Sequence, residues 1–188
     1  MRLPRKFKGD GRNVSPDDFV YDPETIVEIK NFEPDQKRRH LEAIIKEMSG
    51  CADQGVVRIS LVPDGRRAIP TKLVVRVKHD ATGAYERHKA RWVALGFLAR
   101  SGLDFSNTYA PTSMLTTGRL LFAIAARYGL NVSHAGLPQA FLQSPIDRPI
   151  WVTLPKGISL KHDTLAEFRK RHPRGTVALR LLKSLYSL

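Results

Sequence analysis

Cysteine is almost absent: Cys51 stands alone in 188 residues, so neither an internal disulfide nor a thiolate-built zinc site can form within the chain. That scarcity predicts an intracellular setting. Long apolar runs are missing too, the longest being Leu120 to Ala126, far short of the ~20 residues a membrane-crossing helix needs. No membrane span is expected. The basic stretch Met1 to Lys8 leads into Gly9, Asp10 and Gly11, where a secretory leader would carry an apolar segment. No Gly-rich phosphate loop follows a strand, and neither a His-Glu-x-x-His pair nor a recognisable Ser, His and Asp spacing is present. His40, His79, His88, His134, His162 and His172 are isolated in the sequence and read as surface or packed residues, with Cys51 as a buried bystander.

Acidic residues are also in short supply, 18 against 31 Lys and Arg, which gives a net charge of +13. The imbalance is uneven. Residues 1–35 hold 6 basic and 8 acidic side chains, whereas residues 36–188 hold 25 and 10. The first segment, with Pro4, Gly9, Gly11, Pro16, Pro23 and Pro34 among scattered charges, reads as a poorly ordered tail or linker. The second predicts a polyanionic partner, because Lys and Arg displace condensed counterions from phosphates whatever the base sequence.

Leu41, Ile44, Ile45 and Met48 fall at helical spacing after Pro34 and Asp35, which predicts a helix ending near Gly50. Val56–Val62 and Thr71–Lys78 are β-branched runs and read as strands. Asp80 to Gly83 is a turn signal, and Tyr85–Leu95 reads as the returning strand, with His88, Ala90, Trp92 and Ala94 on one side and Lys89, Arg91 and Val93 on the other. This is a hairpin with one cationic face. Thr116 or Thr117 is expected to cap a helix whose stripe is Leu121, Ile124, Ala125 and Tyr128, with Gly129 in the left-handed closing position. Short strands are expected at Asn131–Ala135, Ile150–Leu154 and Val177–Leu182, and helical turns at Gln139–Leu142 and Leu165–Arg171. Helices and antiparallel hairpins mix without βαβ regularity or repeats, so the fold class is α+β.

The informative signal is a series of four patches: Tyr85–Phe97 (YERHKARWVALGF), Asp104–Met114 (DFSNTYAPTSM), Ala140–Gly157 (AFLQSPIDRPIWVTLPKG) and Leu182–Leu188 (LKSLYSL). Their order and spacing resemble the reverse transcriptase domain of copia-type retrotransposon polyproteins over about residues 70–188. The resemblance implies fingers and the start of a palm, assigned to residues 36–188, with antiparallel hairpins and packed helices. It implies RNA-directed DNA polymerisation as the family activity, an RNA template or RNA/DNA hybrid as partner, and the rest of a polyprotein as context. Carried over by position, it puts Lys89 and Arg91 on the fingers strand facing the nucleotide, Arg91 clamping the triphosphate through its guanidinium fork. Phe141 falls where the family's ring packs under the sugar. Read without the family, Lys89 and Arg91 are a solvated strand face and Phe141 is a core residue. Trp92 and Phe97 have rings able to stack on bases but are expected in the core.

The departures from the family's pattern concern metal. The family's chemistry uses two Mg²⁺ ions held by aspartates, which are hard oxygen ligands. Aligning Ala140, Phe141 and Leu142 with the family's Ala-Phe-Leu puts Gly136 at the first metal-binding aspartate, with Pro138 interrupting the strand two residues on. Asp147 falls in the loop after the helical turn and is not expected to substitute. Ser187 replaces the glycine of Lys-Ser-Leu-Tyr-Gly-Leu, and no Tyr-Val-Asp-Asp hairpin follows. The expectation is therefore a chain without catalytic or metal-binding residues and without bound Mg²⁺, inactive alone. The alternatives are a non-catalytic basic binder of RNA or single strands, or a relic with no role. Family membership suggests cytoplasmic particles or the nucleus, and the clusters Lys37–Arg39 and Arg169–Arg171 do not decide between them.

Overall fold

The computed structural model describes residues 9–106, 112–133, 135–137 and 139–188. In chain order it places β1 (Asp10–Asn13), β2 (Phe19–Tyr21), α1 (Pro34–Asp53), β3 (Val57–Leu61), β4 (Ala68–Ile69), β5 (Thr71–His79), β6 (Tyr85–Ala94), α2 (Leu115–Tyr128), α3 (Ala140–Gln143), β7 (Trp151–Val152), β8 (Ile158–Leu160), α4 (His162–Arg171) and β9 (Val177–Leu181). Helix and sheet are mixed, as an α+β chain requires. A five-stranded sheet has the order β1-β3-β9-β7-β4, antiparallel except for the β4–β7 pair. Two further ribbons, β2–β8 and β5–β6, are antiparallel.

The alternation of β3 and β9 explains the core. Val57 and Ile59 lie opposite Leu181 and Leu179, and all four are buried, with Ile44, Met48 and Cys51 of α1 in the same cluster. Cys51 is fully buried, and burial pushes its thiol pKa up, which disfavours the thiolate. Helix α1 runs past Gly50; Gly55, at φ 63°, sits in the left-handed conformation beyond its end. Its buried side is Ile44, Glu47, Met48 and Cys51, while Ile45 of the expected stripe is turned outward.

Residues 10–32 are not a tail. β1 extends the main sheet beside β3, β2 pairs with β8, and Ile26 and Ile29 are fully buried. Asp18 ties the segment down: its carboxylate accepts from Arg12 at 2.6 Å, the Ser15 amide at 2.7 Å and Thr164 Oγ1 at 2.8 Å. Glu28 accepts from the Leu73 amide at 3.3 Å. The strands are three and four residues long and their partners lie far along the chain, so no local period betrays them. Residues 1–8 lie outside the described residues.

Two more expectations change. Residues 131–133 and 135 form no strand, and α2 begins at Leu115 after Met114, with no side-chain cap from Thr116 or Thr117. Gly129 does close α2, at φ 64°. Helix α2 is nearly bare. Ala125 is its one buried residue, while Leu120, Leu121, Phe122, Ile124 and Tyr128 are 41–73% exposed. Two of the isolated histidines also meet, the rings of His40 and His88 lying edge to face at 4.3 Å.

Candidate functional site

The β5–β6 ribbon is built by a turn and an alternation. Asp80 Oδ1 accepts from the Thr82 hydroxyl at 2.6 Å, the Thr82 amide at 2.8 Å and the Ala84 amide at 3.0 Å, which holds its carboxyl below the ordinary range and fixes the turn. Cross-strand pairs then share a face. The inner pairs include Leu73 with Trp92 and Val75 with Ala90; they pack on α1, and the Trp92 indole donates to Thr71 Oγ1 at 2.8 Å. Glu47 of α1 accepts from the Trp92 amide at 3.3 Å. Burial raises its carboxyl pKa, against the pull of that amide, Arg91 and Lys89.

The outer face pairs Lys72 with Val93, Val74 with Arg91, Arg76 with Lys89 and Lys78 with Arg87. Six cations therefore share one side of a two-stranded ribbon. Among the described residues only Arg87 has a carboxylate within ion-pair distance, Glu86 at 3.5 Å. Arg76 with Lys89 and Lys78 with Arg87 set like charges directly opposite one another, which destabilises a sheet. Lys89 and Arg91 both lie on this face, as the alternation predicts. Lys72, Arg76, Lys78 and Arg87 were missed, although the same period in Thr71–Lys78 places three of them there.

Past Arg91 the ribbon meets the C-terminal segment. Tyr186 bridges to Val93, and the Ala94 amide donates to the Tyr186 carbonyl at 3.1 Å. The Arg91 guanidinium lies 5.7 Å from the centroid of the Tyr186 ring, whose other neighbour is Phe141, ring to ring at 5.7 Å. Phe141 is exposed on α3 and Leu142 takes the buried place beside it, so Phe141 is not a core residue. Arg91, Tyr186 and Phe141 thus form one cluster. Tyr186 was not singled out from the sequence; the bridge to Val93 that places it is non-local.

The four patches converge. Gly96 abuts the Ser187 carbonyl so closely that a Cβ there would lie 1.9 Å from its oxygen, the Ser184 amide donates to the Ser144 carbonyl at 2.8 Å, and the Ile146 amide to Leu182 at 3.2 Å. Asp104 accepts from Arg66 at 3.0 Å and from the Arg100 amide at 2.9 Å. Around these contacts lies an open cleft of about 820 Å³ lined by residues 96, 97, 99, 104–106, 146–148, 150, 184, 187 and 188. Asn107 to Pro111 of the second patch lie outside the described residues. Phe97 is 81% exposed on the cleft's rim, a correction to its expected core place; Trp92, fully buried, is in the core. The short 3-10 turn at Gly96–Leu98 ends the alternation and swings Phe97 outward.

Gly136 has no side chain to offer as a ligand, Asp104 accepts from Arg66 and from the Arg100 amide, and Asp147 lines the same cleft. No group of three His, Cys, Asp or Glu side chains suited to a metal is found among the described residues.

Comparison with known proteins matches residues 54–173 to the family model described as "Reverse transcriptase (RNA-dependent DNA polymerase)". The chain is 28% identical over 167 residues to the "Retrovirus-related Pol polyprotein from transposon TNT 1-94" of Nicotiana tabacum, covering 89% of this chain and 12% of that protein. It is also 28% identical over 111 residues to the corresponding polyproteins of transposons RE1 and RE2 of Arabidopsis thaliana, covering 59% of this chain and 7% of each. No solved structure matches it. The four converging patches and the family match agree: the chain belongs to the reverse transcriptase (RNA-dependent DNA polymerase) family and corresponds to part of the domain carried by copia-type retrotransposon Pol polyproteins.

Proposed function

We propose that this chain, as the fingers and first part of the palm of such a domain, grips nucleic acid along the outer face of β5–β6 and does not polymerise by itself. The carrying observation is the row of six cations, Lys72, Arg76, Lys78, Arg87, Lys89 and Arg91, on one face of the ribbon. Only Arg87 has a carboxylate at ion-pair distance among the described residues, Glu86, with Glu47 of α1 attracting Lys89 and Arg91 from farther off, and phosphates complete the row. Arg91, steadied against Tyr186, is the phosphate clamp, Lys89 adds a point charge, and Phe141 supplies the apolar platform for a sugar. Gly136 supports the inactivity, since a glycine cannot hold Mg²⁺ where the family places an aspartate.

Titration of a single-stranded 12-mer RNA at several salt concentrations tests the grip. Affinity is expected to fall with a log–log slope of about −0.7 per phosphate neutralised, and the double variant Arg76→Gln, Lys89→Gln to flatten the slope by about 1.4. Absence of binding at low salt would defeat the reading. Primer extension on a primed RNA template, with Mg²⁺ or Mn²⁺, is expected to give no product; template-dependent incorporation would refute inactivity.

A further inference from the structure

We infer that the bare face of α2 is a self-association surface, covered by α2 of a second copy of this chain packed antiparallel to it. The inference stands apart from the nucleic-acid reading above. Of the stripe that the sequence sets out on this helix, Ala125 alone is buried, while Leu121, Ile124 and Tyr128 are 63%, 41% and 73% exposed. Together with exposed Thr117 they recur at spacings of four, three and four residues, the repeat of a helix–helix seam. A helix of 14 residues is marginal in water without tertiary packing, so another surface completes such a seam.

Area, shape and charge point to a second copy. Met114, Leu120, Leu121, Ile124 and Tyr128 leave on the order of 600 Å² of side chain uncovered per chain, hence about 1,200 Å² for a pair, the lower bound of a stable interface. With two helices antiparallel about a two-fold axis, Leu121 meets Ile124 of the second copy and Thr117 meets its Tyr128, so that a small side chain lies opposite the largest one, twice by symmetry. Parallel helices would instead set Tyr128 on Tyr128 and Thr117 on Thr117. Helix α2 carries two charges, Arg119 and Arg127, and no carboxylate. By the same helical spacing Arg119 falls on the side away from the seam, and Arg127 flanks it beside Leu120 of the second copy, where its aliphatic stem extends the apolar cover. No cation faces another across the pair. The net charge of +13 on each chain opposes association at long range only, and salt screens it.

Sedimentation equilibrium of the full chain reads the association. The weight-average mass is expected to rise from that of one chain, 21.2 kDa, toward twice that, half-way near about 10 µM. Raising NaCl from about 0.05 to 0.5 M should tighten the pair several-fold, the opposite of its effect on a nucleic-acid contact. Leu121→Glu, which sets a charge in the seam of each copy, should weaken the pair by about thirty-fold or more, whereas Phe122→Ser, off the seam, should stay within about two-fold of the parent. Register is read with a short bis-maleimide, for which buried Cys51 does not compete. Leu121→Cys should cross-link copy to copy; Met114→Cys, on the same seam but about 25 Å along the axis from its counterpart in an antiparallel pair, should not. A mass that stays at one chain up to about 200 µM overturns the inference, and flotation of that monomer with phosphatidylserine vesicles would assign the face to lipid instead. A dimer that persists in Leu121→Glu is held elsewhere, and equal cross-linking at the two cysteines means a parallel pair; either result overturns the pairing stated here.

Discussion

Trp92 and Phe122 are large aromatics on elements that the sequence pattern locates equally well, a strand by alternation and a helix by its period. Their surroundings are opposite. Trp92 is fully buried between the ribbon and α1, with its indole hydrogen bonded, whereas Phe122 stands 62% exposed on a helix that touches the body chiefly through Ala125. A helix apolar on most of its circumference belongs in a packed interior, and an isolated helix of this length is marginal in water. The contrast teaches that periodicity reports an element and not whether its partner is at hand. The sheet body holds because β3, β9 and β7 are each paired on both sides in the order β1-β3-β9-β7-β4, whereas α2 buries only Ala125.

The sharpest break of this comparison is a pair of truncations. Trp92→Ala should cost about 3–5 kcal/mol, enough to abolish a cooperative urea transition in a marginal domain. Phe122→Ser should stay within about 0.5 kcal/mol. Equal losses would mean that α2 is as well packed as the ribbon. Glycines give the same contrast with opposite signs. Gly96→Ala drives a methyl into the Ser187 carbonyl and should destabilise by about 1–3 kcal/mol. Gly118→Ala, with nothing within 4 Å, should raise helicity and stabilise by about 1 kcal/mol, read by circular dichroism and melting.

Asp18 tests the part of the body whose sequence gave least warning. Its burial would raise the carboxyl pKa, but Arg12, the Ser15 amide and Thr164 outweigh that and hold it well below the ordinary value. The carboxyl therefore binds fewer protons folded than unfolded, and its contribution is present above about pH 4 and fades as pH falls below it. Asp18→Asn should cost about 1–2 kcal/mol at pH 7, a figure reduced because Arg12 is half exposed, and the gap from the parent should narrow on acidification.

Legibility followed locality. Helix α1, the β5–β6 hairpin and its cationic face could be read because period, turn and register all lie within a few residues of one another. Strands β1, β2, β4 and β8 could not, since two to four residues carry no period and their partners are far along the chain. In the site, Lys89 and Arg91 were placed correctly on the outer face by alternation alone. Tyr186 and the exposure of Phe97 depend on the C-terminal segment docking beside β6, a contact of residues about ninety positions apart that no local pattern encodes.

The smallest expected effect lies where ribbon and α1 meet, at the His40–His88 pair. His40 Nδ1 donates to the Gln36 carbonyl at 2.8 Å, and His88 Nδ1 is 2.7 Å from the Tyr85 hydroxyl, with the rings in contact. Burial lowers the His88 pKa, His40 and Arg39 lower it further, and Asp35 and Glu42 pull the other way. A base whose folded pKa is depressed binds fewer protons folded than unfolded, so stability rises with pH up to the ordinary histidine value near 6.5 and is lost below it. Partial exposure keeps this small. Melting of the parent should drop by no more than about 2 °C between pH 7 and pH 5.5, above the range in which Asp18 titrates, and His88→Gln should flatten that slope. If the slope persists in the variant, the ribbon is not sensing protons at its seam with α1, and its pH dependence belongs to the sheet body instead.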